Sequence, residues 1–183
     1  MENGKVIFAR RSVRKYKETP VEKEKLDFVL EAGKYAPSAM NNQDRIFIAV
    51  TKKEELQALN EVVESISDEA TKTRIKGRSV EGKFDFFYNA PVLIVACAKK
   101  NGLRPAEDCA TALQNMFLAG YDVGLGSCWI NQLSNKADIP EINALLKKWG
   151  MADGYDVYGC CALGYADGET TIIVPKSNKI III

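Results

Sequence analysis

The sequence contains no histidine among its 183 residues. Histidine is the usual base of Ser-His and Cys-His nucleophile systems and a frequent ligand of zinc and haem iron. Its absence excludes those nucleophiles, the HExxH metalloprotease site and the Cys/His zinc finger. Any activity must therefore use carboxylates, lysines, thiols, backbone donors or a bound cofactor.

The sequence also has little net charge, because 25 Lys and Arg are balanced by 24 Asp and Glu. Nucleic-acid-binding proteins usually carry a clear basic excess, so this balance argues against a nucleic-acid partner. The basic residues are unevenly placed, however, and six of them lie between Lys5 and Lys17. A local basic cluster in a neutral chain favours a small anionic ligand.

Long apolar runs and paired cysteine motifs are missing as well. No apolar run reaches the roughly 18 residues that span a bilayer, and residues 1–14 have no apolar signal-peptide core. The 5 cysteines show no CxxC spacing, so we expect buried, reduced thiols and no metal site. These features predict a cytoplasmic protein without a membrane partner, and the length predicts a single domain over residues 1–183.

Hydrophobic periodicity and start and stop signals predict helices. The predicted helices cover about 19–36, 51–66, 105–122 and 139–149. Thr19 and Thr51 each begin a capping-box pattern, because Glu22 and Glu54 stand three residues later. Residues 67–85 are too polar to assign and predict either a poorly buried helix or a mobile loop.

Apolar runs of strand length predict strands over 45–50, 91–98 and 157–163. The expected class is α+β, with a central mixed β-sheet flanked by helices. The chain ends in four isoleucines, residues 180–183. Because an exposed apolar strand aggregates, we expect this end to pair with a sheet, in its own chain or in a partner.

Three polar segments are candidates for a ligand site. The arginine segment (residues 10–14) offers guanidiniums and a hydroxyl suited to a phosphate, and is otherwise a solvated basic surface. The amide loop (residues 36–43) offers groups suited to a heteroaromatic edge, and is otherwise a turn with Asn capping a helix. The glycine segment (residues 124–130) lets backbone donors approach a ligand, and is otherwise a helix C-cap.

Five blocks taken together resemble the nitroreductase family of FMN-dependent oxidoreductases. In chain order they are RRSVRKY, APSAMNNQ, YNAPVLI, EDCATALQNMFLAGYDVGLGSCWI and ALGYAD. The resemblance runs from about Val6 to Lys179 and implies a nitroreductase-like fold. It further implies non-covalent FMN, NAD(P)H as co-substrate, and a homodimer in which carboxyl-terminal strands are exchanged.

The resemblance implies which residues bind the cofactor. Arg10, Arg11 and Ser12 match contacts to the flavin phosphate and ribityl chain, and Arg14 matches a basic position near the pyrimidine edge. A guanidinium there would stabilise the negative charge of the reduced ring. A late lysine, Lys176 or Lys179 with Lys176 preferred, matches a position that closes on the phosphate.

Two further groups of residues follow from the same resemblance. Backbone at Leu125, Gly126 and Ser127 matches a stretch that lies against the flavin ring near its reactive N5. A loop that reaches FMN across the dimer interface is matched by Pro37, Ser38, Ala39, Asn41 and Gln43. Asp44 and Arg45 depart from the family pattern, which often has proline and an aromatic residue there.

The implied activity is an oxidoreductase that takes hydride from NAD(P)H onto flavin N5 and passes the electrons to a nitroaromatic, quinone or similar small acceptor in a ping-pong cycle. No protein side chain is expected to be catalytic, because the flavin is the reactive centre. One alternative is a flavin-binding or sensory module without this turnover. Another is a related flavin chemistry such as dehalogenation.

Overall fold

A four-stranded sheet forms the centre of the fold in the computed structural model, which describes residues 3–79, 81–168 and 178–183. The strands are β1 (Arg45–Val50), β2 (Val92–Lys99), β3 (Gly126–Ile130) and β4 (Tyr155–Gly164). They lie in the order β1-β2-β4-β3, and each neighbouring pair is antiparallel. The α+β class is confirmed. The sheet was expected to be mixed. Among the described residues, the parallel pairing is limited to an isolated bridge between Ser12 and Ser127.

Helices flank this sheet. They are α1 (Asn3–Ala9), α2 (Lys23–Lys34), α3 (Lys53–Ser65), α4 (Glu69–Lys76), α5 (Pro105–Asp122) and α6 (Pro140–Lys148). None of these described helices is both long and apolar enough to cross a bilayer. Helix α5 has the predicted bounds, whereas α1 and β3 are absent from the prediction.

The two faces of the sheet contact different helices, because successive side chains of a strand point to opposite faces. Leu93 and Val95 of β2 pack in a cluster with α3, α4 and α6, whereas Ile94 and Ala96 pack with α2 and α5. Every residue of β2 except Lys99 is buried. This explains why the strand appears in the sequence as an uninterrupted apolar run.

The capping boxes predicted at Thr19 and Thr51 are wrong. Helices α2 and α3 begin four and two residues after them, and their N-cap residues, Glu22 and Lys52, make no side-chain cap hydrogen bond. The Glu22 carboxylate instead accepts a hydrogen bond from Tyr165 Oη at 2.6 Å. A contact between distant parts of the chain has therefore replaced the local cap.

Residues 67–85 contain helix α4, so the helical alternative is confirmed for the first half of this stretch. Asp68 caps the helix, because its Oδ1 accepts a hydrogen bond from the Thr71 backbone N–H at 2.6 Å. Ile75 is the buried residue of α4. The helix is thus poorly buried, as its polar composition predicts.

The carboxyl-terminal isoleucines do not pair with the sheet of their own chain. Residues 178–183 have no strand structure, and the four isoleucines are between 68 and 118% exposed. Strand β1 lies at one edge of the sheet, where β2 is its strand neighbour. Pairing of the tail with a partner chain stays a prediction.

The cysteines are buried free thiols, as predicted. Burial raises the pKa of the Cys97 and Cys109 thiols to about 12, against an ordinary value of 9.0. Both thiols therefore stay protonated, and poorly nucleophilic, at neutral pH.

We expect the native thiols to react with a disulfide reagent only after the chain unfolds. Unfolded thiols ionise near 9.0 and the folded ones near 12, so the unfolded state binds fewer protons between these values. The free energy of unfolding should then fall as the pH rises through that window. Urea titrations across it measure the effect, and a Cys97→Ala variant should show a shallower fall. Rapid labelling of Cys97 in the native protein would contradict this account.

Candidate functional site

The arginine segment lies along β3. Ser12 and Ser127 form a parallel bridge, and the Val13 backbone N–H donates to the Ser127 carbonyl at 3.0 Å. Gly126 permits this approach, because a Cβ there would lie 2.4 Å from Val13 Cγ2. The structure therefore brings the arginine segment and the glycine segment together.

Tyr16 fixes the other end of the arginine segment. Its hydroxyl lies 2.9 Å from the Val13 carbonyl and 3.2 Å from the Ala162 carbonyl of β4, and its backbone bridges Ala166. Burial raises the pKa of Tyr16 above its ordinary value, so the hydroxyl remains a neutral donor. The segment is thus tied to both β3 and β4.

The arginine side chains leave this backbone in different directions. The Arg10 guanidinium lies 5.6 Å from the centre of the Phe117 ring on α5, within cation–π range. Arg11 Nη1 donates to the Phe8 and Arg10 carbonyls, each at 2.7 Å. Arg14 is exposed to solvent. The three guanidiniums consequently have different surroundings: an aromatic ring for Arg10, backbone carbonyls for Arg11 and solvent for Arg14.

Two polar groups of β3 lie close to these cations. Ser127 Oγ is buried and has no hydrogen-bond partner among the residues the structure describes. Such a group is uncommon in a folded protein, which makes Ser127 a candidate for contact with a ligand. Burial raises the pKa of the Cys128 thiol, while the Arg14 guanidinium, the Ser12 hydroxyl and the Arg10 guanidinium act against that rise. Arg10, Arg14 and Ser12 are therefore the residues of the arginine segment that act electrostatically or by hydrogen bonding on Cys128.

The amide loop has an unusual backbone. Met40, Asn41 and Gln43 have φ values of 53°, 54° and 55°. These values lie in the left-handed region, which residues other than glycine rarely adopt. Ser38 Oγ accepts from the Gln43 backbone N–H at 3.0 Å, and Gln43 Nε2 donates to Asn41 Oδ1 at 3.1 Å. The backbone N–H of Ala39 donates to Asp108 Oδ1 at 2.9 Å. The loop is ordered by these bonds and leaves Asn41 and Gln43 exposed.

The amide loop does not join the other two segments within one chain. It contacts Asp108 in the first turn of α5, whereas Arg10 contacts Phe117, nine residues further along the helix. At 1.5 Å per residue these positions are about 13 Å apart along the axis. One chain therefore carries two separate parts of the predicted site, one at each end of α5.

The remaining predicted residues lie in different parts of the structure. Pro37 takes part in the amide loop through its carbonyl, which accepts from Thr111 Oγ1 at 3.2 Å. Leu125 and Gly126 are buried beneath the arginine segment. Lys179 is exposed near the end of the chain, and Lys176 lies outside the described residues.

Sequence reasoning assigned no positioning role to four residues that hold these segments: Tyr16, Phe117, Asp108 and Arg45. Tyr16 ends the block RRSVRKY, and Asp108 and Phe117 lie inside the long central block. These three residues therefore lie inside the blocks that carry the family resemblance. The spacing of residues within the blocks does not indicate which helices and strands they contact.

Comparison with known proteins identifies the family of the chain. A model of the nitroreductase family matches residues 7–165, which contain all three segments, and the chain therefore belongs to the nitroreductase family. A nitroreductase with bound FMN from Bacteroides fragilis is 38% identical, with a TM-score of 0.87 and coverage of 100% of this chain and 99% of that chain.

Two further proteins are similar to this chain at lower sequence identity. The NAD(P)H FMN reductase of Bacillus subtilis is 27% identical over 129 residues, which are 66% of this chain and 45% of that protein. Iodotyrosine deiodinase bound to FMN and 3-iodo-L-tyrosine is 21% identical, with a TM-score of 0.73 and coverage of 98% of this chain and 97% of that chain. The latter likeness shows the fold alone.

The contact between Gly126 and Val13 can be tested directly. A Gly126→Ala substitution should lower the free energy of unfolding by about 1–3 kcal/mol, because the new methyl group overlaps Val13. Urea unfolding measures the change. Gly4→Ala is the matched control, since a Cβ on Gly4 meets nothing within 4 Å. Equal stability of the Gly126→Ala and wild-type chains would show that the arginine segment does not lie against β3.

Proposed function

We propose that this chain is an FMN-dependent oxidoreductase that uses NAD(P)H to reduce nitroaromatic, quinone or similar small acceptors in alternating half-reactions. The observation that carries the proposal is the pairing of the arginine segment with β3, which places the Ser12 backbone beside Ser127 and the Arg10 guanidinium over Phe117 of α5. The bound FMN of the Bacteroides fragilis relative supports the choice of cofactor.

FMN fits the chemistry of these donors. Arg10, Arg11 and Ser12 would hold its phosphate and ribityl hydroxyls, because guanidiniums bind phosphate through paired, charge-assisted hydrogen bonds. The hydroxyl of Ser127, which lacks a partner among the described residues, would gain one. A late lysine, Lys176 in preference to Lys179, would close on the phosphate.

The contribution of the protein is binding and electrostatics. FMN, when bound, supplies a centre that takes up hydride at N5 and releases the electrons to an acceptor. Arg14 would place positive charge at the pyrimidine edge of the flavin. There it would stabilise the negative charge of the reduced ring. Backbone at Leu125 and Gly126 would line the ring. Cys128 stays protonated beside them, because burial raises its pKa.

A second copy of the chain would complete the site. The amide loop and the arginine segment lie at opposite ends of α5, so Pro37, Ser38, Ala39, Asn41 and Gln43 would contact the FMN held by the partner chain. Large apolar side chains are exposed near both parts. Phe8 of α1 is 78% exposed, Tyr35 at the end of α2 is 80% exposed, and Met40 in the loop is 85% exposed. A homodimer would cover such surfaces.

Strand exchange would give the carboxyl terminus a place in the dimer. Residues 180–183 are exposed and apolar, and β1 lies at a sheet edge with β2 as its strand neighbour. We propose that the tail of each chain pairs with the β1 edge of the other. This arrangement removes an edge that would otherwise favour aggregation.

The activity can be tested by anaerobic titration of the FMN-loaded protein with NAD(P)H. We expect rapid bleaching of the flavin absorbance, followed by reoxidation when a quinone or nitroaromatic is added. A protein that binds FMN but is not bleached would be a flavin-binding or sensory module instead. Failure to bind added FMN would contradict the proposal, and reoxidation by an iodinated phenol alone would favour dehalogenation.

The shared site can be tested by mixing two defective chains. One carries Arg10→Ala with Arg11→Ala in the arginine segment, and the other carries Asn41→Ala in the amide loop. If each site uses both chains, the mixed dimer contains one site with both defects and one intact site. Co-expressed chains with two affinity tags should therefore recover about half of the wild-type flavin binding, while each variant alone recovers little. A site built from one chain predicts no recovery.

A further inference from the structure

We propose that Arg45 is a positioning residue that holds the amide loop in the conformation that meets the partner's FMN. This inference rests on the proposed function, because it concerns the same site. It extends that function to a residue outside the set that the resemblance assigns to cofactor binding.

The Arg45 guanidinium binds three backbone carbonyls. Nη2 donates to the Ala36 carbonyl at 2.9 Å, and Nη1 donates to the Pro37 carbonyl at 3.2 Å and the Asp108 carbonyl at 3.0 Å. Ala36 and Pro37 begin the amide loop, and Asp108 lies in the first turn of α5. One side chain thus joins the loop, the start of β1 and the start of α5.

Two neighbours strengthen the same junction. Asp108 Oδ1 accepts from the Ala39 backbone N–H at 2.9 Å, and Thr111 Oγ1 donates to the Pro37 carbonyl at 3.2 Å. The Arg45 guanidinium also lies 6.0 Å from the centre of the Phe47 ring. The base of the loop is therefore fixed from β1 and from α5 at once.

The loop needs this support because its own backbone is unfavourable. Met40, Asn41 and Gln43 all have φ between 53° and 55°. Such residues persist when the surrounding structure holds them, because this region is strained for most residues other than glycine. The hydrogen bonds inside the loop join Ser38, Asn41 and Gln43 to one another but do not anchor the loop to the rest of the protein.

An arginine suits this position for a geometric reason. Its planar guanidinium carries donors in a rigid fork, so it can bind several carbonyls at once, whereas the single ammonium of lysine cannot match that arrangement. Its neighbour Asp44 has a separate role, because it pairs with Lys99 at 3.1 Å. Asp44→Asn therefore removes an adjacent charge while leaving the three carbonyl bonds in place.

The first measurement is the affinity of the chain for FMN. The change of flavin fluorescence on binding monitors the titration. We expect Arg45→Ala to weaken binding about tenfold or more, because the bonds of a charged donor are lost. Arg45→Lys should lie between, and Asp44→Asn should change the affinity less than about twofold. Added methylguanidinium should restore much of the binding to Arg45→Ala, which a general loss of folding would not allow.

The decisive measurement compares two mixed dimers with the same substitutions. In the first, Arg10→Ala with Arg11→Ala lies on one chain and Arg45→Ala on the other, which leaves one intact shared site. In the second, all three substitutions lie on one chain opposite a wild-type chain, so that the intact arginine segment meets the altered loop. We expect wild-type FMN affinity at one site of the first dimer and weakened affinity in the second.

The opposite order would overturn the inference, because it would mean that Arg45 acts only within its own chain. Wild-type affinity in Arg45→Ala, or in Arg45→Lys if the alanine variant does not fold, would overturn it as well. A wild-type chain that binds no FMN would overturn the proposed function, and this inference with it. If the wild-type chain binds FMN normally and one of these contrary results is obtained, the inference about Arg45 fails but the proposed function does not.

Discussion

The site depends on one backbone contact, the pairing of the arginine segment with β3. The Val13 N–H reaches the Ser127 carbonyl at 3.0 Å because Gly126 has no side chain to keep Val13 away. Through this contact a stretch with no regular structure of its own acquires the rigidity of the sheet. The guanidiniums are then presented from a fixed backbone, so less conformational entropy is lost when they bind an anion.

Helix α5 contacts both parts of the proposed site. Its carboxyl-terminal half contacts Arg10 through Phe117, and its first turn holds the amide loop through Asp108. The two parts of the proposed site lie at different levels of this rigid helix. In the proposed two-fold dimer, the end of one helix would lie beside the start of the other and two equivalent sites would form.

Much of the fold could be predicted from the sequence, and the reasons are physical. Strand β2 is buried on both faces and α5 begins with Pro105 at its amino terminus, so both give strong local signals. Strand β3 is only five residues long and follows a glycine turn, which hides its alternation. Helix caps were mispredicted where a distant partner, such as Tyr165 for Glu22, satisfied the polar group instead.

The site was less accessible to sequence reasoning. Its segments were identified through family resemblance, because each alone has an ordinary structural explanation. The left-handed backbone of the amide loop could not be foreseen, since Met40 and Gln43 are not residues that favour it. Arg45 binds the carbonyls of the adjacent residues Ala36 and Pro37 together with that of Asp108, which is 63 residues away in sequence, and only the folded chain brings these groups together.

The central claim is that the flavin site belongs to two chains together. The most direct measurement is the mass and the flavin content of the FMN-loaded protein in a single chromatographic peak, by light scattering and visible absorbance. The account predicts twice the 20.3 kDa mass of the chain, with one FMN for each chain. A peak at the mass of a single chain that carries a full complement of FMN would contradict it.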